Sequence, residues 1–335
     1  MIQQAIYKAL NRDNLSFEET KAVMDEIMGG NATNAQIAAF ITAIRMKGET
    51  IDEITGCATI MRKYGLKLKH EGDVLDIVGT GGDEAFTFNI STISSLIISA
   101  AGIPVAKHGN RSVSSKCGSA DVLEALGVKI DIPVEKSEKI LKEIGICFLF
   151  APLYHSSMKY AAPVRREIGV RTIFNILGPL SSPADANLQL LGVYDENLVE
   201  PMARVLANLG VKRAMVVHGH DGLDEVSLSA KTTVCEVNQG QVNSFFLDPH
   251  QFGFEYCKPE DLVGGDPQQN AAIALSILNG ERGPKRDIVL LNSAVCLYMS
   301  YNNITLRECV KLAADTIDSG KAMEQLRQFI RLSNE

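Results

Sequence analysis

Apolar positions in the first 70 residues recur at helical spacing: Ile2, Ala5, Ile6, Ala9 and Leu10, then Val23, Met24, Ile27 and Met28. No β-branched run interrupts them. Helix starts fall at Ser16 with Glu19 three residues on, at Thr33 with Gln36, and at Thr50 with Glu53, the spacing of a capping box. Stops fall at Gly29-Gly30, Gly48 and Gly65, because glycine ends a helix at low conformational cost. The pattern predicts a small helical region.

The period changes at Asp73. Residues 74–78 read as a short strand that runs into the turn Gly79-Thr80-Gly81-Gly82-Asp83, and residues 90–101 as an apolar helix. A second strand over 103–106, helices over 120–126 and 135–144, and a third strand over 146–150 repeat the alternation, which predicts a parallel sheet covered by helices. Further on, 188–194 and 213–218 read as strands around a helix over 198–209. Residues 232–237 and 241–247 read as an antiparallel hairpin at the sheet margin, turning through Asn238-Gln239-Gly240. From Gln269 onward the chain reads as largely helical. The fold class expected is α/β, with a small all-helical N-terminal domain (1–70) and a larger α/β domain (71–335) whose mostly parallel central sheet is flanked by helices. With no internal repeat, linker or low-complexity segment, the helical domain is expected to pack directly on the sheet.

Composition narrows the partners. A chain of 335 residues with 46% hydrophobic and 22% charged residues has the make-up of an ordinary globular protein, and its length favours two domains. A net charge of −7 opposes nucleic acid as a main partner, because that binding runs on clustered Lys and Arg. Seven cysteines without a CxxC pair or zinc spacing point to a reducing compartment. No leader-like N-terminus and no run of about 18 apolar residues is present, so neither secretion nor a membrane partner is expected and the location expected is cytoplasmic.

The candidate chemistry sits where strands end. In a parallel sheet ligands bind beyond the carboxyl ends of the strands, and the Gly79–Asp83 turn lies at such an end. Its glycines permit positive φ, turn N–H groups inward and let a pyrophosphate approach. The helix that follows aims its N-terminus at the same place, with Asn89, Ser91 and Thr92 in its first turn. By itself the turn matches neither the Walker pattern nor the dinucleotide pattern, and a glycine-rich loop without a ligand stays open as a reading. The loop Lys107-His108-Gly109-Asn110-Arg111-Ser112 follows the next strand and should open at the same edge, bringing positive charge at Lys107 and Arg111 and hydroxyls at Ser114, Ser115 and Ser119. Ser119 also reads as a helix N-cap. Asp224-Glu225 follows a later strand; adjacent carboxylates suit magnesium, a hard cation usually held by one or two carboxylates and substrate phosphates.

These motifs, with Gly118-Ser119-Ala120-Asp121-Val122-Leu123-Glu124, Asn89-Ile90-Ser91-Thr92, Pro163-Val164-Arg165-Arg166-Glu167, the run Arg171 to Leu180, and Asp221-Gly222-Leu223-Asp224-Glu225, resemble the anthranilate phosphoribosyltransferase family in order and length. The resemblance implies a homodimeric enzyme of tryptophan biosynthesis with Mg2+ as cofactor. Its substrates would be phosphoribosyl pyrophosphate (PRPP) and anthranilate, and its helical domain, joined by a helical segment near 163–182, would make the dimer contact. It implies PRPP at Gly79, Thr80, Gly81, Gly82, Asp83, Thr87, Asn89, Ser91, Thr92, Lys107 and Ser119, with Lys107 and Asp83 catalytic. Magnesium would lie at Ser91, Asp224 and Glu225, and anthranilate at Gly79, His108, Asn110, Arg165, Gly178 and Pro179. Three departures from the family pattern touch the acceptor side: Cys117, Ser156-Ser157 after His155, and Ser181-Ser182.

The reaction so implied displaces pyrophosphate from ribose C1 by an aromatic amine through an oxocarbenium-like transition state, so stabilising the departing pyrophosphate matters most. A neutral aniline nitrogen is nucleophilic without a strong base, in keeping with the lack of an obvious nucleophile–base pair. Arg165 would hold the anthranilate carboxylate bidentately; an ion pair within Arg165-Arg166-Glu167 is the plain alternative. His108 reads as a packing or hydrogen-bonding residue ahead of an acid or base, and Cys117 as a small buried filler. Two rivals remain: a pyrimidine nucleoside phosphorylase on the same fold, whose basic-serine signature is not seen in the second loop, and a non-catalytic relative that binds nucleic acid.

Overall fold

The computed structural model describes residues 1–112 and 116–335; the hydroxyls expected of Ser114 and Ser115 lie outside the described residues. Four helices come first: α1 (Ile2–Leu10), α2 (Phe17–Met28), α3 (Asn34–Lys47) and α4 (Ile51–Tyr64). All three expected capping boxes form. Ser16 Oγ accepts from the Glu19 N–H at 3.3 Å while Glu19 Oε2 accepts from the Ser16 N–H at 2.9 Å, and Thr33 with Gln36 and Thr50 with Glu53 repeat the exchange. α2 packs on α4 and α1 on α3, so the helical-period residues meet in one core of Val23, Met24, Ile27, Ile41 and Ile44. Glu53, fully buried, is satisfied by the Leu15 N–H at 2.9 Å and Lys47 Nζ at 2.9 Å, which ties the α1–α2 and α3–α4 connections together.

The remainder runs β1 (Leu75–Gly79), α5 (Ile90–Ala100), β2 (Val105–Gly109), α6 (Ser119–Ala125), α7 (Val134–Ile144), β3 (Ile146–Phe150), then α8 (Ala151–Tyr154), α9 (Ala162–Ile168) and α10 (Phe174–Leu177). It continues with β4 (Leu188–Gly192), α11 (Val199–Asn208), β5 (Arg213–Gly219), β6 (Thr232–Asn238), β7 (Gln241–Leu247), and four closing helices, α12 (Pro267–Leu278), α13 (Pro284–Ser300), α14 (Leu306–Asp318) and α15 (Lys321–Asn334). Among the described residues seven strands form one sheet in the order β3-β2-β1-β4-β5-β6-β7. β1 to β5 run parallel, and only the β5-β6-β7 margin is antiparallel, with the hairpin at the expected Asn238–Gln241 turn.

Side chains leave the sheet with period two. Leu188, Leu190, Met215 and Val217 face a core shared with α5 and the C-terminal helices, while Leu191, Ala214 and Val216 face one shared with α11 and the bundle. Burial on both faces explains why the parallel strands read as unbroken apolar runs. Expected to pack directly on the sheet, the bundle instead makes its main contacts through α4 with α10 and α11, and through α3 with α9; α11 in turn covers β5 and β6. Among the described residues no cysteine forms a disulfide, and no helix is long and apolar enough to cross a membrane.

Candidate active site

The registers align the carboxyl ends of the central strands: Gly79 of β1 pairs with Gly192 of β4, and Gly109 of β2 with Phe150 of β3. Loops that leave these ends therefore open together. The Asp224-Glu225 segment, which follows β5, crosses directly over β1 and β4. A Cβ on Gly79 would run into the Asp224 carboxylate, and one on Gly192 into the Asp224 carbonyl, so two glycines make room for one acidic segment. Gly81 and Gly82 serve the turn differently, with φ of 68° and 78° in the left-handed region open to glycine. Gly79 is not in that region, so of the turn's three glycines only two meet a conformational need.

The turn aims its backbone inward. The Gly81 N–H donates to Asp224 Oδ2 at 2.7 Å, and the Ser91 backbone, in the first turn of α5, faces the Glu225 carboxylate and favours its charged form. Asp83 closes on the Asp224 carboxyl from the glycine turn. Three acids thus share a small, desolvated place. Burial first, then the neighbouring Asp83, pushes the Asp224 carboxyl up to about 7; burial and then Asp224 push Glu225 well above the carboxylate range. Against them stands Lys107 on β2, only 3% exposed, whose ammonium is lowered by burial and sustained by Asp76, Glu225 and Asp224. Its hydrogen bond among the described residues goes to the His108 carbonyl at 3.3 Å, which leaves donors for a ligand. Clustered carboxylates that repel one another, beside a first-turn hydroxyl at Ser91, fit a hard divalent cation. Among the described residues no trio of His, Cys, Asp or Glu makes a ready metal cage, so substrate oxygens would have to complete the shell of a cation bound here.

Other expected residues have settled partners. Thr80 Oγ1 accepts from the Tyr194 N–H at 3.1 Å, and Thr87 bridges to Val263. Asn89, the N-cap of α5, makes no side-chain cap; its amide bonds the Cys117 carbonyl at 3.1 Å and Asn270 at 2.9 Å. Thr92 Oγ1 is buried without a partner among the described residues. Ser119 lies inside α6 rather than at its cap, which is Gly118; its Oγ donates to the Asn110 carbonyl at 3.2 Å, in space that a Cβ on Gly109 would take. Arg111, expected to offer charge to a phosphate, is drawn off by Asp121 at 2.9 Å and by Glu124. Cys117 is a buried filler beside Asn89, its thiol pushed up to about 11 by burial.

On the acceptor side, His108 lies buried with its ring centroid 5.2 Å from His155, and neither Nε2 has a partner among the described residues. Burial, and then its neighbours His155 and Lys107, hold His108 well below its ordinary range, so it stays neutral; burial, and then Lys67, bring His155 down to about 4. Arg165 on α9 is half-buried with its guanidinium 5.3 Å above the Phe174 ring on α10, and no ion pair engages it among the described residues. The expected alternative of a pair with Glu167 does not form. Gly178 follows α10 with no atom near the position of a Cβ, and the Pro179 carbonyl accepts from Gln189 Nε2 at 2.7 Å.

Two residues escaped the sequence reading. Asp76, a carboxylate inside the apolar run of β1, accepts from the His108 N–H at 3.1 Å and is pushed by burial up to about 6. Arg171 donates to the Gly82 carbonyl and stacks 4.4 Å over the Tyr194 ring, bracing the glycine turn from outside. An acid in a buried strand was a visible signal; Arg171 headed a family-like run but was given no role of its own. Two surface depressions, of about 800 and 650 Å3, share no lining residue with this edge.

A sheet edge that gathers inward N–H groups, a buried lysine and paired acids belongs to a protein that handles a phosphorylated ligand. Residues 3–65 match the model of the glycosyl transferase family helical bundle domain, and residues 71–323 that of the glycosyl transferase family a/b domain. An anthranilate phosphoribosyltransferase of Ruminiclostridium cellulolyticum is 70% identical over 334 residues, covering 100% of this chain and 98% of the relative, and one of Endomicrobium trichonymphae is 65% identical over both full lengths. The chain belongs to the anthranilate phosphoribosyltransferase family. Its fold superposes on the crystal structure of that enzyme from Thermus thermophilus with a TM-score of 0.94 at 40% identity, each chain 99% covered. A yeast relative in complex with PRPP and Mg gives 0.89 at 29% identity, with 99% of this chain and 98% of that one covered.

Proposed function

We infer that this chain transfers the 5-phosphoribosyl group from PRPP to the amine of anthranilate and releases pyrophosphate, a reaction of tryptophan biosynthesis. The observation that carries the reading is the meeting of the Gly81 and Ser91 N–H groups, Lys107, Asp83, Asp224 and Glu225 at one sheet edge. The glycine turn and the first turn of α5 bind the phosphates; Lys107 places a positive charge where the leaving pyrophosphate gains negative charge as the C1–O bond breaks. Asp83 orients the donor against that lysine. Ser91, Asp224 and Glu225 would hold Mg2+, which when bound supplies further positive charge to the leaving group. Around these lie Gly79, Thr80, Gly82, Thr87, Asn89, Thr92 and Ser119, which shape the PRPP cradle.

Anthranilate enters from the side of α10. Arg165 takes its carboxylate, and Gly79, neutral His108, Asn110, Gly178 and Pro179 border the ring. The attacking amine is neutral, so no strong base is needed, and its proton leaves after the C1–N bond forms. The assay mixes the protein with PRPP, anthranilate and magnesium, follows loss of anthranilate fluorescence, and repeats with a chelator. Consumption that the chelator stops is expected; none under any condition overturns the reading.

Residues 1–70, joined by the segment 163–182, act as a helical domain that makes a homodimer contact beside a PRPP-binding domain of 71–335. The packing of α3 on α9 supports the first point, and the exposure of Tyr7 (71%), Leu10 (68%) and Met46 (79%) on the paired helices α1 and α3 supports the second. Sedimentation should find a dimer that Leu10→Glu weakens; a wild-type monomer at micromolar concentration refutes the contact.

A further inference from the structure

An N-cap residue usually turns its side-chain oxygen onto a first-turn N–H of its own helix. Asn89 caps α5 and does not. Its Oδ1 instead accepts from Asn270 Nδ2 at 2.9 Å and from the Cys117 thiol at 3.4 Å, while its Nδ2 donates to the Cys117 carbonyl at 3.1 Å. Asn270, on α12 and only 2% exposed, is fixed in turn by the Gly265 N–H, which donates to its Oδ1 at 2.7 Å. The segment before α12 is zipped onto the loop that enters α5. Phe88 N–H donates to the Leu262 carbonyl at 3.2 Å, Gly264 N–H to the Phe86 carbonyl at 2.9 Å, and Thr87 bridges to Val263. A Cβ on Gly264 would press on Asn270 Oδ1 at 2.7 Å and on the Phe88 backbone at 2.7 and 2.8 Å, so the fit depends on glycine there.

We propose that Asn270 is a positioning residue for the phosphoribosyl donor: it holds the Asn89 side chain away from α5, so that the Ser91 and Thr92 N–H groups, which an N-cap side chain would take, are left to the phosphate, while the Ile90 N–H is already held by the Phe88 carbonyl at 2.8 Å. Among the described residues Asn270 acts through Asn89 and the Cys117 thiol beside it. Once released, the Asn89 oxygen competes with the donor for the same N–H groups. The idea rests on PRPP being the donor bound at α5, and it assigns α12, which lies behind the site, a part in donor affinity without a part in acceptor binding.

The test is a double-mutant cycle on the full-length enzyme. Asn270→Ala should raise the PRPP KM about tenfold, the effect of one lost buried hydrogen bond, with the anthranilate KM changed less than about twofold. Asn89→Ala removes the competing oxygen, so adding Asn270→Ala to it should raise the PRPP KM no further, and the double variant should match the Asn89→Ala single one. Asn270→Asp keeps the oxygen that accepts from Gly265 and loses the donor to Asn89; it should reproduce the PRPP effect with a melting temperature near wild type, and it stands in if the alanine variant does not fold. Equal rises in both KM values, or effects that multiply to about a hundredfold in the double variant, overturn the proposal. A wild-type enzyme that consumes no anthranilate overturns the functional reading instead, so the two failures are told apart.

Discussion

Replacing Arg165 by alanine separates the two substrate sites more sharply than any other single change. The guanidinium is half-buried over Phe174 and, among the described residues, pairs with no acid in the free protein. Its removal therefore strands no buried carboxylate. What the folded chain loses is the stacking contact, about 1 kcal/mol, or roughly 2 °C in melting temperature for a protein of this size. What the bound state loses is a two-point, charge-assisted grip on a carboxylate, about 3 kcal/mol, on the order of 100-fold in kcat/KM for anthranilate. The PRPP KM should stay within about threefold, because the phosphate edge is built from β1, β2, α5 and the Asp224 segment, none of which Arg165 supports. Arg165→Lys should recover only part of the loss, since a lysine restores charge but not the planar fork. Steady-state kinetics with each substrate varied in turn, alongside a melting curve, reads all of this. Equal rises in both KM values, or a melting temperature lowered by more than about 8 °C, would refute the assignment.

The acidic cluster makes melting depend on pH and metal together. Because the Asp224 carboxyl is raised from 3.8 to about 7, its contribution to stability is full below pH 3.8 and is lost as pH rises through about 7. Magnesium should accordingly raise the melting temperature at pH 8 more than at pH 5.5, and Asp224→Asn should flatten that difference; a magnesium effect independent of pH contradicts the assignment. Gly79→Ala forces a Cβ onto the Asp224 carboxylate. At about 1–3 kcal/mol for overpacking, kcat/KM for PRPP should fall roughly 10- to 100-fold with the circular dichroism spectrum unchanged, and wild-type kinetics would show that the approach is looser than it looks.

What the sequence determined by itself was local. The helical bundle was legible because apolar period and capping boxes are relations within a few residues, and each of Ser16, Thr33 and Thr50 behaves as its neighbours dictate. The parallel sheet was legible because strands buried on both faces leave continuous apolar runs. The glycine turn, the lysine loop and the acidic pair could be named from their places at strand ends, and their common edge followed from the direction of a parallel sheet.

Only the tertiary structure decided which polar groups remained free to act. Arg111 and Lys107 stand four residues apart with the same charge, yet one is drawn off by Asp121 and Glu124 of the helix that follows it while the other is buried opposite Asp224 and Glu225. Gly79 reads like its neighbours Gly81 and Gly82, but its constraint is a carboxylate more than a hundred residues away in sequence. Asn270 reads as one more polar residue of a C-terminal helix until the fold lays it against Asn89. The physical reason is common to all three: backbone conformation is set largely by nearest neighbours, whereas a side chain's charge and hydrogen-bonding capacity are settled by whichever distant groups the fold packs beside it.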